Sequence, residues 1–182
     1  QNFDAFLSEE FDAIITNAAG CGSTLKDYTH LFGNDDAAHV RARQFTAKMK
    51  DVTEFLVDLG MTAPLRALPL RVTYQDSCHL VHGQKIREAP RELLCAIPGV
   101  DFVEMPLSEQ CCGSAGVYNV TETETSLEIL ERKMECVTQT KAGVIATANP
   151  GCILQLRAGA AMHKTGQEVL HVVELLDRAL AE

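Results

Sequence analysis

The chain has 182 residues, 46% of them hydrophobic and 23% charged, the composition of an ordinary folded domain with a sizeable core. A net charge of −9 argues against nucleic acid as a partner, because phosphate binding needs clustered Lys and Arg. The longest uncharged run, 142–156, is fifteen residues long and interrupted by Asn149, Pro150 and Gly151, so no transmembrane segment is expected.

In chain order, the apolar, β-branched run Phe11–Thr16 predicts a buried strand. Phe45, Met49, Val52, Leu56 and Leu59 follow at helical spacing and predict one face of a long helix. Met61–Leu70, with Pro64 and Pro69, reads as a connector. The run Leu70–Tyr74 predicts a second strand, and Arg91–Ile97 a short helix ended by Pro98-Gly99. Asp101–Met105 predicts a third strand. Leu127, Leu130, Met134 and Val137 line a second amphipathic helix, with Thr125 and Glu128 as its expected capping box. Gly143–Thr147 predicts a fourth strand and Val169–Val172 a weaker fifth. Val172–Leu180 closes the chain as a helix, with Leu175, Leu176 and Ala179 on its apolar side. Strands alternating with helices predict an α/β, Rossmann-like fold: a mainly parallel sheet of about four or five strands with helices on both faces.

Ile14, Thr16, Gly20, Cys21 and Leu25 recur 131 residues later as Ile145, Thr147, Gly151, Cys152 and Leu156. Five identities at one offset, each set following a strand-like run, suggest an internal repeat. The organisation expected is the end of a first, truncated repeat over 1–62, a connector over 63–69 and a complete cysteine-rich domain over 70–182.

Seven cysteines in a chain long enough to fold without staples call for a chemical explanation. No basic, apolar leader opens the chain, although Gln1 rather than Met stands first and a natural start upstream is compatible with that. An odd cysteine count without an export signal points to a reducing, cytoplasmic setting, where thiols bind metal or do redox work. Cys78, Cys111-Cys112 and Cys152 each fall just beyond the carboxyl end of a predicted strand. In a parallel sheet those ends share one edge, where ligand crevices open, so the four converge. Four thiolates suffice for an iron–sulfur cluster or a zinc ion. Gly113-Ser114-Ala115-Gly116 and Gly151 allow close backbone approach to sulfur, and following helices add positive dipole ends. Cys95 and Cys136 fall within predicted helices and read as buried structural thiols. Cys21 is either a ligand of a truncated second site or a leftover thiol. His79 and His82 flank Cys78, and a role beside the ligands suits them. His30, His39, His163 and His171 read as helix caps or covers, and 121–124 as a solvated helix start.

Cys78, thirty-two residues, Cys111-Cys112-Gly113, and then Asn149-Pro150-Gly151-Cys152, with thirty-six residues between Cys112 and Asn149, resembles the cysteine-rich CCG domain. That domain occurs in heterodisulfide reductase and in the iron–sulfur subunits of glycolate and lactate oxidation complexes. Asp76-Ser77-Cys78-His79-Leu80, His82-Gly83-Gln84, Asn17-Ala18-Ala19-Gly20-Cys21-Gly22 and Tyr28-Thr29-His30-Leu31 are most similar to the glycolate oxidase type. The resemblance implies a 4Fe-4S cluster on Cys78, Cys111, Cys112 and Cys152, with Cys21 as a further candidate ligand and Asn149, His79 and Gly113 beside them. It also implies a flavoprotein partner carrying FAD, oxidation of glycolate or a similar 2-hydroxy acid there, quinone as acceptor, and peripheral association with the inner membrane. One departure stands out: the family's final Cys-x-x-Cys has Asn149 at its first position, leaving four thiolates in place of five. Asn149 would be a weak oxygen ligand or a hydrogen-bonding neighbour, and an ordinary cubane is expected. The alternatives are a disulfide reductase of the heterodisulfide type and a zinc-stabilised interaction scaffold.

Overall fold

The computed structural model describes residues 1–7, 10–33 and 37–181. The chain runs α1 (Asn2–Phe6), β1 (Ile14–Thr16), α2 (Ala19–Lys26), a 3-10 turn (Tyr28–Leu31), α3 (Ala37–Lys48), β2 (Met49–Asp51) and α4 (Val52–Leu59). It continues through β3 (Arg71–Tyr74), a π-helical turn (His79–Gly83), α5 (Glu88–Ala96), β4 (Asp101–Glu104), α6 (Tyr118–Thr121) and α7 (Thr123–Thr140). β5 (Val144–Thr147), α8 (Pro150–Met162), β6 (Glu168–His171) and α9 (Val172–Ala179) complete it.

Strands β4-β3-β5-β6 form one fully parallel sheet, in that order. Alternation along the strands sends Val72, Tyr74, Val144, Ala146 and Leu170 to one face, under α5 and α9. Ile145 and Val169 point to the other face, where Leu130, Met134 and Val137 of α7 and Leu156 and Ala160 of α8 cover them. Helices on both faces of a parallel sheet make this an α/β, Rossmann-like fold. The chain winds outward from β3 to β4, then crosses back to start β5 on the opposite side of β3. That reversal opens a crevice between the carboxyl ends of β3 and β5, the place where such sheets bind ligands.

β1 does not join this sheet. It pairs in parallel with β2, Ile14 opposite Met49 and Thr16 opposite Asp51. The three-residue length of β2 limits β1 to three residues, so Phe11 lies outside the strand expected to begin there. Ile14, Phe45 and Met49 form the core of this region, with Phe3, Leu7, Leu25 and Tyr28 packed on it.

The single long helix expected through Phe45 and Leu59 is interrupted. Met49 and Asp51 are buried in β2, and Asp51 starts α4 afresh: Thr53 N donates to Asp51 Oδ1 at 2.9 Å, and Asp51 N to Glu54 Oε2 at 3.3 Å. A reciprocal cap of this kind restarts a helix wherever the chain has bent, and helical spacing alone does not reveal it. The expected cap at Thr125 is also absent. α7 starts at Thr123, and Ser126 N already donates to Glu122 O at 2.9 Å, which puts Thr125 inside the first turn. The segment 63–69 lies against the end of α9, Arg66 N donating to Ala179 O at 2.7 Å.

Candidate metal centre

Each thiol is presented by a loop that buried polar contacts hold. After β3 the chain passes through Gln75, Asp76 and Ser77, all wholly or almost wholly buried. The Asp76 carboxylate accepts two hydrogen bonds from Arg91, at 2.9 and 2.7 Å, and one from Ser108 Oγ at 2.7 Å. Burial alone would raise its pKa, yet the Arg91 and Ser108 bonds hold it below the ordinary carboxylate value. Ser77 Oγ meets Thr147 Oγ1 at 3.1 Å, tying the β3 exit to the end of β5. Cys78 follows at the head of the π-helical turn, with His79 Nδ1 3.7 Å from its sulfur.

Cys111 and Cys112 lie in the loop after β4. The Gly113 N–H donates to Cys111 Sγ at 3.3 Å. Gly113 has φ +94°, and a Cβ there would stand 2.5 Å from Ser126 O, so no larger residue fits. Ser126 Oγ donates to Gly113 O at 2.8 Å, and Gln155 Nε2 of α8 donates to Ser126 Oγ at 3.0 Å. The loop is thereby pinned to two helices.

Cys152 is the third residue of α8, within the first turn, where backbone N–H groups lack helical partners and the dipole favours negative charge. Asn149 is its N-cap residue by position. Its Oδ1 accepts from Gly20 N at 3.2 Å and its Nδ2 faces Cys152 Sγ at 3.8 Å. The amide therefore bridges α2 to the Cys152 sulfur.

These loops enclose a cavity of about 330 Å³ that Cys78, Cys111, Cys112 and Cys152 line. His79, Asn149 and Cys21 line it too. Cys112 and Cys152 are 2% and 4% exposed, Cys78 and Cys111 half-buried, and Cys21 exposed at the wall. Cys95 and Cys136 are elsewhere. Cys136 is buried in α7 as expected, whereas Cys95 is exposed, because α5 buries Pro90, Leu93 and Leu94 instead.

The four thiols interact in series, Cys78 with Cys111, Cys111 with Cys112, and Cys112 with Cys152. Donation from Cys112 and Cys78 lowers the pKa of Cys111, helped by the Gly113 N–H and the Lys133 charge. Donation from Cys112, with help from Asn149 and Ser77, lowers that of Cys152 against the effect of burial. Cys78 and Cys112 are correspondingly raised, by their bonds to the neighbouring thiols and by burial. Among the described residues no three His, Cys, Asp or Glu side chains are gathered tightly enough to hold a single ion. The sulfurs line one side of a half-open cavity of about 330 Å³, more room than a single ion takes. A soft thiolate set around so large a space fits an iron–sulfur cluster better than one ion.

Sequence reasoning missed Lys133, Asp76 with Arg91, and the Ser77–Thr147 contact. Lys133 left a signal, a charge three residues after Leu130 and four before Val137, on the apolar stripe of its helix. Among the histidines, His171 does cap a helix, accepting from Val173 N at 3.2 Å at the start of α9. No helix among the described residues is long and apolar enough to cross a membrane.

The model of the CCG cysteine-rich domain matches residues 72–157. The chain is 44% identical over 180 residues to a probable glycolate oxidase iron-sulfur subunit of Bacillus subtilis, covering 97% of this chain and 40% of that one. It is 33% identical over 180 residues to lactate utilization protein A of Oceanobacillus iheyensis, covering 97% of this chain and 72% of that protein. It is also 33% identical over 175 residues to one subunit of the fumarate reductase (CoM/CoB) of Methanothermobacter marburgensis, covering 96% of this chain and 34% of that one. The chain therefore spans well under half the length of two of these three relatives.

Proposed function

The chain belongs to the CCG cysteine-rich domain family alongside lactate utilization protein A, and on that premise we propose that it is an iron–sulfur, electron-transferring part of an oxidoreductase complex. The observation that carries this reading is one cavity at the crevice of the parallel sheet, lined by all four thiols. Cys78, Cys111, Cys112 and Cys152 would hold a 4Fe-4S cluster, and Cys21 is the further candidate on the same wall. When bound, the cluster supplies one-electron transfer. The protein's own part is to orient the sulfurs, exclude water and place fixed charge. The N–H of Gly113 and the Asn149 amide point at sulfur, His79 touches Cys78, and burial keeps Cys112 and Cys152 from solvent. Thiols must give up their protons to ligate iron, and Cys78 and Cys112 are held toward the protonated form, so iron uptake releases protons and improves as pH rises.

The names of the relatives, a glycolate oxidase iron-sulfur subunit and a lactate utilization protein, support glycolate or a similar 2-hydroxy acid as the electron source, and the finer reading adds FAD on a flavoprotein partner as the entry point and quinone as the acceptor. The organic chemistry then belongs to the flavin. The same reading makes 1–62 the end of a first CCG repeat and 70–182 a complete domain. The shared placement of Cys21 and Cys152 at the third residue of α2 and α8 supports it. The test is the natural complex, purified anaerobically and mixed with glycolate or lactate. An electron paramagnetic resonance signal of reduced cluster is expected within turnover time. A cluster that dithionite reduces while both hydroxy acids leave it oxidised would refute the electron route.

A further inference from the structure

Lys133 projects from α7 into the protein interior behind the cysteine loop and is 3% exposed. Its Nζ donates to Leu107 O at 2.8 Å and Ser108 O at 3.2 Å, the carbonyls four and three residues before Cys111. Among the described residues no carboxylate forms an ion pair with it. The acids nearby are committed elsewhere: Asp76 to Arg91 at 2.7 Å, and Glu109 to Arg87 at 4.0 Å. An ammonium buried with carbonyl partners alone is costly unless negative charge stands close behind them. Groups able to carry it stand on two sides, the thiols of Cys136 and Cys112 and the carboxylates of Glu109 and Asp76. Burial pushes the Lys133 pKa down while Cys136, Cys112, Glu109 and Asp76 pull it up, and the Lys133 charge in turn favours the ionised form of Cys111.

We propose that Lys133 is a positioning residue of the thiolate centre, whose fixed positive charge offsets the negative charge of a cluster on Cys78, Cys111, Cys112 and Cys152 and raises its reduction potential. Reduction adds negative charge, so a buried cation nearby favours the reduced form, and the low internal dielectric keeps the effect strong. The two carbonyl contacts fix where that charge sits and hold the chain that leads to Cys111. The proposal rests on the iron–sulfur reading.

The test compares wild type with Lys133→Met, Lys133→Gln and Lys133→Arg in the full natural protein, loaded anaerobically with iron and sulfide and titrated potentiometrically. Met and Gln should keep most of the iron and shift the ratio of reduced to oxidised cluster at fixed potential about tenfold toward oxidised, which is 59 mV for a one-electron couple. Arg, which retains the charge, should titrate near wild type. Wild-type midpoints in both neutral variants would overturn the proposal and leave the iron–sulfur reading standing. Gln at the wild-type midpoint with Met shifted would overturn it too, since the hydrogen bond and not the charge would then be the cause. Loss of the helical circular dichroism signal in both neutral variants would assign Lys133 to the fold and likewise overturn it. A wild type that takes up no iron would instead refute the reading on which it rests.

Discussion

Cys21 and Cys152 occupy the same place in the same local structure, yet they meet different surroundings. β1 and β5 both end on threonine, Thr16 and Thr147, and after two intervening residues a helix begins whose third residue is the cysteine. The neighbouring strands also match: β2 leads into α4 through Asp51 and Glu54, and β6 into α9 through His171 and Glu174, each pair making a reciprocal cap. β5, however, has β3 on its other side, and the loops after β3 and β4 bring Cys78, Cys111 and Cys112 to Cys152. β1 pairs with β2 alone among the described residues, and Cys21 stays exposed. Local sequence thus builds the strand–helix cradle twice, while the order of strands decides which cradle gathers ligands.

The largest effect expected from this difference is on metal content. Cys152→Ser should lose nearly all bound iron and Cys21→Ser should keep most of it, measured as iron per chain after anaerobic reconstitution. Equal losses would show that Cys21 belongs to the same ligand set and erase the contrast. Next come the glycines one position earlier. A Cβ at Gly151 would stand 2.9 Å from Ser114 Oγ and 3.3 Å from Asn149 Nδ2, whereas one at Gly20 meets nothing closer than 3.6 Å. Gly151→Ala should weaken iron retention by about tenfold, the usual scale for disturbing a ligand's supporting contacts. Gly20→Ala should leave it unchanged and alter stability by no more than about 1 kcal/mol, in the stabilising direction for a helical position.

The two caps give the smallest effect, and it has opposite signs. Burial lowers the His171 pKa, so its contribution to stability is complete above the ordinary histidine value and is lost as pH falls through the folded one. Burial raises the Asp51 pKa, so its contribution is complete below the ordinary aspartate value and is lost as pH rises through the folded one. His171→Asn, which keeps a capping side chain, should flatten the fall of melting temperature between pH 7 and pH 5. Asp51→Asn should leave that limb unchanged and flatten the pH dependence around pH 4 to 5. Parallel curves in wild type and both variants would contradict the assignment.

How much of this was legible beforehand follows from the range of the interactions. The four strands of the main sheet were readable because β3, β5 and β6 are largely buried runs and β4 keeps the half-buried pair Phe102-Val103 at its centre, patterns that are all local. The convergence of Cys78, Cys111, Cys112 and Cys152 on one edge followed from parallel order alone. β2 was not readable, because Met49 and Asp51 gain strand structure only from pairing with β1, thirty-five residues away in register. The role of Asp76 was hidden for the same reason, since Arg91 and Ser108 reach it only once the crossover through α5 has folded.

The central claim, that the four thiols on the sheet edge hold one cluster, is tested most directly by metal and acid-labile sulfide analysis of the anaerobically prepared chain beside its Cys112→Ser variant. About four iron and four sulfide per chain are expected for the former and almost none for the latter. One zinc per chain without sulfide, or iron that Cys112→Ser leaves in place, would contradict it.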